Sequence, residues 1–382
     1  MDAATRQTEQ PFQMERLGII MQPQPGNPQE AWGTLNPGGA RGPDGAYYLF
    51  PRLVAEGNYS RIGRARVVFD AGGRPVGVER LGTVVEPREP YECTRMGGGV
   101  EDARVTYVRP LERYVMTYTA FTPHHPRIAL AVSSDLVAWE RLGLLDYAHE
   151  HGTPDLNRRS NKDGVIFPDL VHDPNGQPAL ALLHRPTYVV RHSLAGPIVT
   201  MSPGGVETDE YIWISYLSLE RVRADPHHLP QAYGHRRILK PHAAWERLKV
   251  GTGAPPVRLP YGWLLLYHGV SGVETEEEKQ VRYAAGAAIL DLDDPTKILY
   301  RSPQPILEPE LPQETQGIVP GVVFPTATDL RGDGHLDVYY GAADSAIGVA
   351  RLAIPARIPP PGGESGEPAV AAMTPGLSTD DA

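Results

Sequence analysis

Hydrophobic positions along this chain recur in short runs with a two-residue period. Tyr114, Met116 and Tyr118 alternate with Val115, Thr117 and Thr119, the pattern of a β-strand with distinct faces. Aromatic and β-branched runs of this kind form a unit that occurs five times: a short strand, a turn or loop, then a strand interrupted by Ala or Gly. The first unit holds AYYLFPRLV and SRIGRARVVFD; the second holds VTYV, YVMTYTAF and IALAVSSDLVAWERL. The third joins ALALLHRP to YIWISYLSLE, and the fourth joins GWLLLYHGV to YAAGAAILDLDDPTKILYR. The fifth is LDVYYGAADSAIGVARLAI. Their spacing of roughly 50–80 residues suits propeller blades that carry long loops. No long run with helical period competes, and VETEEEKQ at 273–280 reads as a solvated loop or a single charged helical turn.

Composition agrees with this pattern. Gly (40) and Pro (39) are too numerous among 382 residues for a mainly helical protein. The expected fold is therefore all-β, a five-bladed β-propeller with a central axial pocket. In such a fold, polar residues far apart in sequence converge from the ends of inner strands. The expected division is an N-terminal extension over 1–30, a propeller catalytic domain over 31–355, and a disordered Pro/Gly/acidic tail over 356–382.

The 36 Lys and Arg against 46 Asp and Glu leave a formal charge of −10. Nucleic acid and anionic membranes are thus poor partners, and any anion needs a local basic pocket. A single cysteine, Cys93, excludes an intrachain disulfide. The N-terminal segment lacks the apolar core of a signal peptide, and no stretch of 18 apolar residues occurs, so a cytoplasmic, soluble protein is expected.

Several segments carry candidate chemistry. GGGVEDARVTY places Glu101 and Asp102 between a glycine loop and a strand; alternation along an extended chain would let only one of them face a pocket. Asn161 opens NKDG before the strand VIFPDL, and Arg185 lies in LHRP. Lys249 precedes glycines that allow close approach to a ligand, and its ammonium is a point charge suited to phosphate. His268 ends the run LLLYH. Each also has an ordinary structural explanation: a turn, a salt bridge, a solvated cation, a satisfied strand-end histidine. His149, Glu150 and His151 lack the helical spacing of a zinc motif and suit an exposed loop. The acidic run at 329–337 resembles a calcium loop only loosely, because Arg331 stands where a ligand oxygen is needed. Cys93 has no activating neighbour in sequence and reads as buried filler.

In order, NPGG, VEDARVTY, NKDGVIFPDL, LHRP, KVGTGAPPV, GWLLLYHGV, YAAGAAILDLDDPTKILYRS and YYGAADSAIGVA resemble glycoside hydrolase family 130. These β-mannoside phosphorylases and mannosidases are built on a five-bladed propeller, and the resemblance covers roughly 36–353, most of the chain. It implies an inverting phosphorylase that cleaves β-mannosides with inorganic phosphate to α-mannose 1-phosphate, Asp102 being the general acid. In the family the proton passes through a sugar hydroxyl. The family's EDPR motif reads EDAR here, with Ala103 in place of proline. Phosphate-binding positions map to Asn161, Arg185, Lys249 and His268; mannosyl-binding positions map to Asn36, Arg52, Tyr283 and Asp344. Ser160 stands where family phosphorylases often carry arginine, with Arg158 and Arg159 just upstream.

The expected partners are a small oligosaccharide and phosphate, the latter as co-substrate, with no dissociable cofactor and no metal. Homo-oligomers are common among the relatives. Two alternatives remain: an inverting mannosidase, which needs a base opposite Asp102, and a propeller that binds glycans without cleaving them.

Overall fold

The structure, a computed structural model, describes residues 11–94, 97–121, 126–187, 190–193, 196–199, 210–274 and 279–358. It is built of β-strands, with short α-helices at Leu219–Ala224 and Pro312–Thr315 among the described residues. Among the described residues, no helix is long and apolar enough to cross a membrane.

The main strands fall into five antiparallel groups of four. The first runs Gly33–Arg41, Tyr47–Ala55, Tyr59–Phe69 and Pro75–Val85; the second runs Gly97–Val108, Arg113–Phe121, Arg127–Ser133 and Glu140–Leu144. A brief parallel contact, Tyr59 and Ser60 against Gly98 and Gly99, joins these two into one sheet. The third group is Ser160–Ile166, Pro178–Thr187, Ile212–Leu217 and Gln231–Leu239. The fourth is Lys249–Thr252, Gly262–Glu274, Lys279–Leu290 and Ile298–Arg301. The fifth is Val323–Leu330, His335–Ala342 and Ala346–Ala353, completed by Met14–Met21 from the start of the chain.

Alternation along a strand explains how the groups pack. In Gly262–Glu274, Trp263, Leu265 and Tyr267 enter a core shared with the third group, while Leu264 and Leu266 enter one shared with the fifth. A strand buried on both faces reads as a continuous apolar run, as this one does. Tyr114, Met116 and Tyr118 likewise pack toward the first group, whereas Val115 packs toward the third. A further cluster joins Ile20, Met21, Tyr339 and Val349 to Tyr47, Leu49 and Val67. Each group thus shares a core with the next, and the last shares one with the first.

Four expectations change. The segment taken as an N-terminal extension, 1–30, contributes Met14–Met21 to the fifth group, because its backbone pairs antiparallel with Ala346–Ala353 and completes that sheet's edge. The strand ends at Leu217, one residue into LSLE: Ser218 caps Leu219–Ala224 by accepting from Arg221 N at 3.3 Å. The described residues of 273–280 are all strand, Val273 opposite Gln280 and Glu274 opposite Lys279. Cys93 is exposed rather than buried, being in a two-residue strand paired only with Gly97 and Gly98; partial burial and the Glu92 carboxylate push its thiol pKa up. Apart from 356–358, the C-terminal tail lies outside the described residues.

Candidate active site

The first strands of three groups carry the same irregularity. Pairing slips between Leu35 and Gly38, between Glu101 and Arg104, and between Lys162 and Val165. At these bulges Asn36, Asp102 and Asp163 adopt left-handed backbone conformations, with φ of 42°, 51° and 56°. Asn and Asp tolerate this region better than other side-chain-bearing residues, and a bulge re-aims the side chain it carries. Asp344 does the same, at φ 50°, in the hairpin that joins His335–Ala342 to Ala346–Ala353.

All four side chains line one cavity of about 160 Å³, together with Arg52, Lys162, Arg185, His268, Tyr283 and Phe324. Asp102 accepts a hydrogen bond from Asn36 Nδ2 at 2.9 Å, and Arg52 Nη1 lies 3.5 Å from its carboxylate. Arg52 Nη2 is also 2.5 Å from Glu101 Oε1, and Lys162 Nζ is 3.7 Å from Glu101 Oε2. Burial opposes the charge on Arg52, but Glu101, Asp102 and Asp344 more than offset this and raise its pKa. The bulge defeats strict alternation here: Glu101 and Asp102, although adjacent, both reach Arg52.

Basic and aromatic side chains complete the lining. Arg185 Nε donates to Asp163 Oδ2 at 2.7 Å, and its Nη1 donates to Glu210 Oε2 at 2.5 Å. Burial would raise the Asp163 pKa, yet Arg185, His268 and Arg104 hold it below the usual carboxylate range. His268 stacks near Tyr283 and Phe324, at 5.7 and 4.5 Å between ring centroids, with Nε2 3.8 Å from Asp163 Oδ2. Burial pushes its pKa down to about 3, with Arg185, Arg104 and Lys249 acting in the same sense against Asp163. The imidazole is therefore neutral at pH 7. A Cβ on Gly251 would collide with the His268 ring and with Asp163, so glycine lets the strand pass beneath them. Lys249 Nζ lies 5.9 Å from the centre of the Tyr283 ring and 4.0 Å from Glu210 Oε2.

The family model described as beta-1,4-mannooligosaccharide phosphorylase matches residues 27–356. The chain belongs to glycoside hydrolase family 130. It is 32% identical over 316 residues to a 1,2-beta-oligomannan phosphorylase of Thermoanaerobacter sp. (strain X514), covering 81% of this chain and 86% of that protein. A beta-1,2-mannobiose phosphorylase from the same organism is 33% identical over 262 residues, 68% of each chain. Among solved structures, a Listeria innocua beta-1,2-mannobiose phosphorylase bound to beta-1,2-mannobiose superposes with a TM-score of 0.65. That match has 25% identity and covers 90% of this chain and 97% of the other.

Of the residues singled out from the sequence of this family 130 chain, Asn36, Arg52, Asp102, Arg185, His268, Tyr283 and Asp344 line the cavity. Lys249 stands just behind Tyr283 and beside Glu210. Asn161 is not brought into the cavity. It is fully buried, with Nδ2 donating to the Tyr147 hydroxyl at 2.9 Å and lying 3.0 Å from His184 Nδ1. The direction of that second contact can be worked out. His235 Nε2 faces the Ala148 carbonyl at 3.0 Å and must donate to it, so His235 Nδ1 accepts from Ser215 Oγ at 2.8 Å. Ser215 Oγ then accepts from His184 Nε2 at 2.8 Å, and His184 Nδ1 accepts from Asn161. Burial pushes the pKa of both histidines down, consistent with neutral rings. The chain of bonds anchors the strand whose next residues, Lys162 and Asp163, face the cavity.

Five residues that sequence reasoning passed over belong to the site, one of them Phe324, whose ring lines the cavity beside His268. Lys162 and Asp163 were quoted only as part of NKDG, and the Asn or Asp beside a small or proline residue in NPGG, EDAR, KDG and ADS was the available signal for left-handed bulges. Glu210 had no signal. Arg104, fully buried, donates to the Asp102 carbonyl at 2.8 Å and to the Gly253 carbonyl at 2.6 Å, tying the Asp102 bulge to the fourth group. Elsewhere, Glu150 accepts from the backbone of Gly234 and His235 at 2.5 and 3.2 Å. Asp329 and Asp337 pair with arginines, Asp329 with Arg41 at 2.6 Å and Asp337 with Arg351 at 2.7 Å.

Proposed function

We propose that this chain is an inverting β-mannoside phosphorylase built as a five-bladed β-propeller, with Asp102 as general acid. The propeller is supported by five four-stranded groups, each sharing a core with the next, and by the closure of the fifth group with Met14–Met21. Phosphorolysis is supported by the family membership and by phosphorylase relatives that match over most of their length. The observation that carries the mechanism is that a single cavity holds both the Asp102 carboxyl and the Arg185 and His268 cluster.

In this mechanism a phosphate oxygen attacks the anomeric carbon while the bond from that carbon to the bridging oxygen breaks. The departing oxygen takes a proton that originates at Asp102, directly or through a sugar hydroxyl. Attack opposite the leaving group converts the β-mannoside into α-mannose 1-phosphate and frees the remaining sugar. Phosphate is itself the nucleophile, so no protein base is required. Arg185, Lys249 and His268 bind the phosphate through charge-assisted hydrogen bonds, which are strong in a site shielded from water. Arriving phosphate would also favour protonation of His268. Asn36, Arg52 and Asp344 bind mannosyl hydroxyls, and Tyr283 and Phe324 offer ring faces to the sugar. The substrates are an oligosaccharide and phosphate; no cofactor has a role. Retention of Arg185, Lys249 and His268 favours phosphorolysis over hydrolysis despite Ser160.

The test is product analysis with β-1,2- and β-1,4-mannobiose, with and without inorganic phosphate. Mannose 1-phosphate formed only with phosphate, and α by NMR, is the expected result. Free mannose regardless of phosphate would overturn it in favour of a mannosidase. Oligosaccharide binding without any product would favour the glycan-binding alternative.

A further inference from the structure

The cations proposed to bind phosphate are already balanced before any phosphate arrives. Arg185 pairs with Asp163 and Glu210, and Lys249 lies beside Glu210. His268 adds no charge at neutral pH, because burial pushes its pKa down to about 3. A phosphate dianion entering this arrangement meets two carboxylates already seated on the cations it needs. One of them must yield.

The two differ in freedom. The Asp163 side chain is 4% exposed, sits on a left-handed bulge, and is held by Arg185 Nε, while its own carbonyl accepts from the Thr252 hydroxyl. Moving it would disturb two strands. Glu210 has its backbone pinned, its carbonyl accepting from Val250 N at 3.3 Å, but its side chain is 25% exposed and reaches inward on rotatable bonds. One oxygen, Oε2, touches Arg185 Nη1 at 2.5 Å and lies 4.0 Å from Lys249 Nζ. A phosphate oxygen bridging the same two cations would need that position.

We infer that Glu210 is a built-in competitor for the phosphate subsite, a carboxylate that occupies the Arg185 and Lys249 cations until phosphate displaces it and so sets the phosphate affinity of the enzyme. This rests on the phosphorylase reading above. Displacement swings the Glu210 side chain toward solvent, where its charge is rehydrated, and leaves Asp163 in place to orient Arg185. Binding is thus an exchange of one anion for another, and its apparent affinity falls by the fraction of molecules in which Glu210 is seated.

The experiment is calorimetric titration of the full chain with inorganic phosphate alone, comparing wild type with Glu210→Gln and Glu210→Asp, alongside the phosphate KM for mannose 1-phosphate formation. Glu210→Gln keeps the shape and removes the competing charge; roughly three- to tenfold tighter phosphate binding is expected, with a parallel fall in phosphate KM. Glu210→Asp withdraws the carboxylate by one methylene and should move both quantities the same way by less, which keeps the test open if the Gln variant does not fold. Unchanged or weaker phosphate binding by the folded variants, in an enzyme that does make mannose 1-phosphate, overturns the role of Glu210 alone. A wild type that binds no phosphate and releases free mannose overturns the phosphorylase reading, and this inference with it.

Discussion

Two cavities are lined by different stretches of the same strands, and they differ in a way that size does not reveal. The larger, about 700 Å³, is bordered by Arg41, Tyr107, Arg109, Pro255, Arg258 and Leu330. The smaller, about 160 Å³, is bordered by Asn36, Asp102, Asp163 and their neighbours. Strand Gly33–Arg41 gives Asn36 to one and Arg41 to the other; strand Gly97–Val108 gives Asp102 to one and Tyr107 to the other. In the large cavity the arginines are half-exposed and pair with carboxylates at its edge, Arg109 and Arg258 both lying 3.3 Å from Asp169. In the small one, charges are buried, packed against aromatic rings and set on left-handed bulges. Backbone strain of that sort, which costs on the order of 1–3 kcal/mol per residue, is retained where the surroundings enforce it, and it clusters at functional sites. The comparison teaches that the site is marked by distorted backbone and concentrated charge rather than by open volume.

The sharpest way to break this comparison is to remove the proposed acid, Asp102, from the small cavity. Asp102→Asn preserves the bond from Asn36 only if the new amide presents its oxygen, and it cannot deliver the proton the leaving oxygen needs. A fall in kcat/KM of about 100-fold or more is expected for a general acid, with the melting temperature little changed. Steady-state rates of mannose 1-phosphate formation check this, and a variant retaining more than about a tenth of wild-type activity would place the acid elsewhere.

Buried charge also predicts how the molecule responds to acid. His268 has an ordinary pKa of 6.5 in the unfolded chain, but burial pushes it down to about 3 in the folded protein. Between these values the unfolded state binds a proton that the folded state refuses. Stability is therefore full above pH 6.5 and falls as the pH drops toward 3, by at most about 1.4 kcal/mol per pH unit from this residue. His184 and His235, whose pKa values burial also lowers, act in the same direction. Urea denaturation from pH 7 to 4 should show a declining free energy of unfolding, with a shallower decline in His268→Gln. An unchanged slope in that variant would mean that His268 accepts its proton readily in the folded state.

How much of this was legible in the sequence depends on the period being read. The two-residue alternation around Tyr118 and the unbroken run at Trp263 already contain the strands and their two-sided burial, and three distinct segments, EDAR, LHRP and LLLYH, read in order as family motifs, brought Asp102, Arg185 and His268 to notice. What alternation could not show is where it fails. A bulge is one extra residue in a pairing that is not visible until partner strands are known, so Glu101 and Asp102 were assigned to opposite sides when both reach Arg52. Asn161 illustrates the converse: its neighbours Lys162 and Asp163 face the cavity, while its own amide faces His184 and Tyr147. The strand Met14–Met21 escaped because its partner lies at the other end of the chain, in Ala346–Ala353. Glu210 acquires meaning only from the distance to Arg185, which no local pattern encodes.

The smallest expected effect comes from the large cavity, and it is the one that tests the comparison from the other side. Arg258 is 50% exposed on its side chain and shares Asp169 with Arg109, so removing it leaves that carboxylate with a cation still 3.3 Å away. Exposed pairs of this kind contribute about 0–1 kcal/mol, and the Arg258 guanidinium also stands over the Trp263 ring, 5.8 Å from its centre, a half-exposed cation–π contact of about 0.5–1 kcal/mol. Arg258→Ala should accordingly shift the free energy of unfolding by about 1 kcal/mol or less. It should leave kcat and both Michaelis constants where they were. Urea denaturation with steady-state kinetics decides the matter. A changed sugar KM in a variant of unchanged stability would show that the two cavities communicate along the strands they share, since the substitution touches nothing in the smaller one.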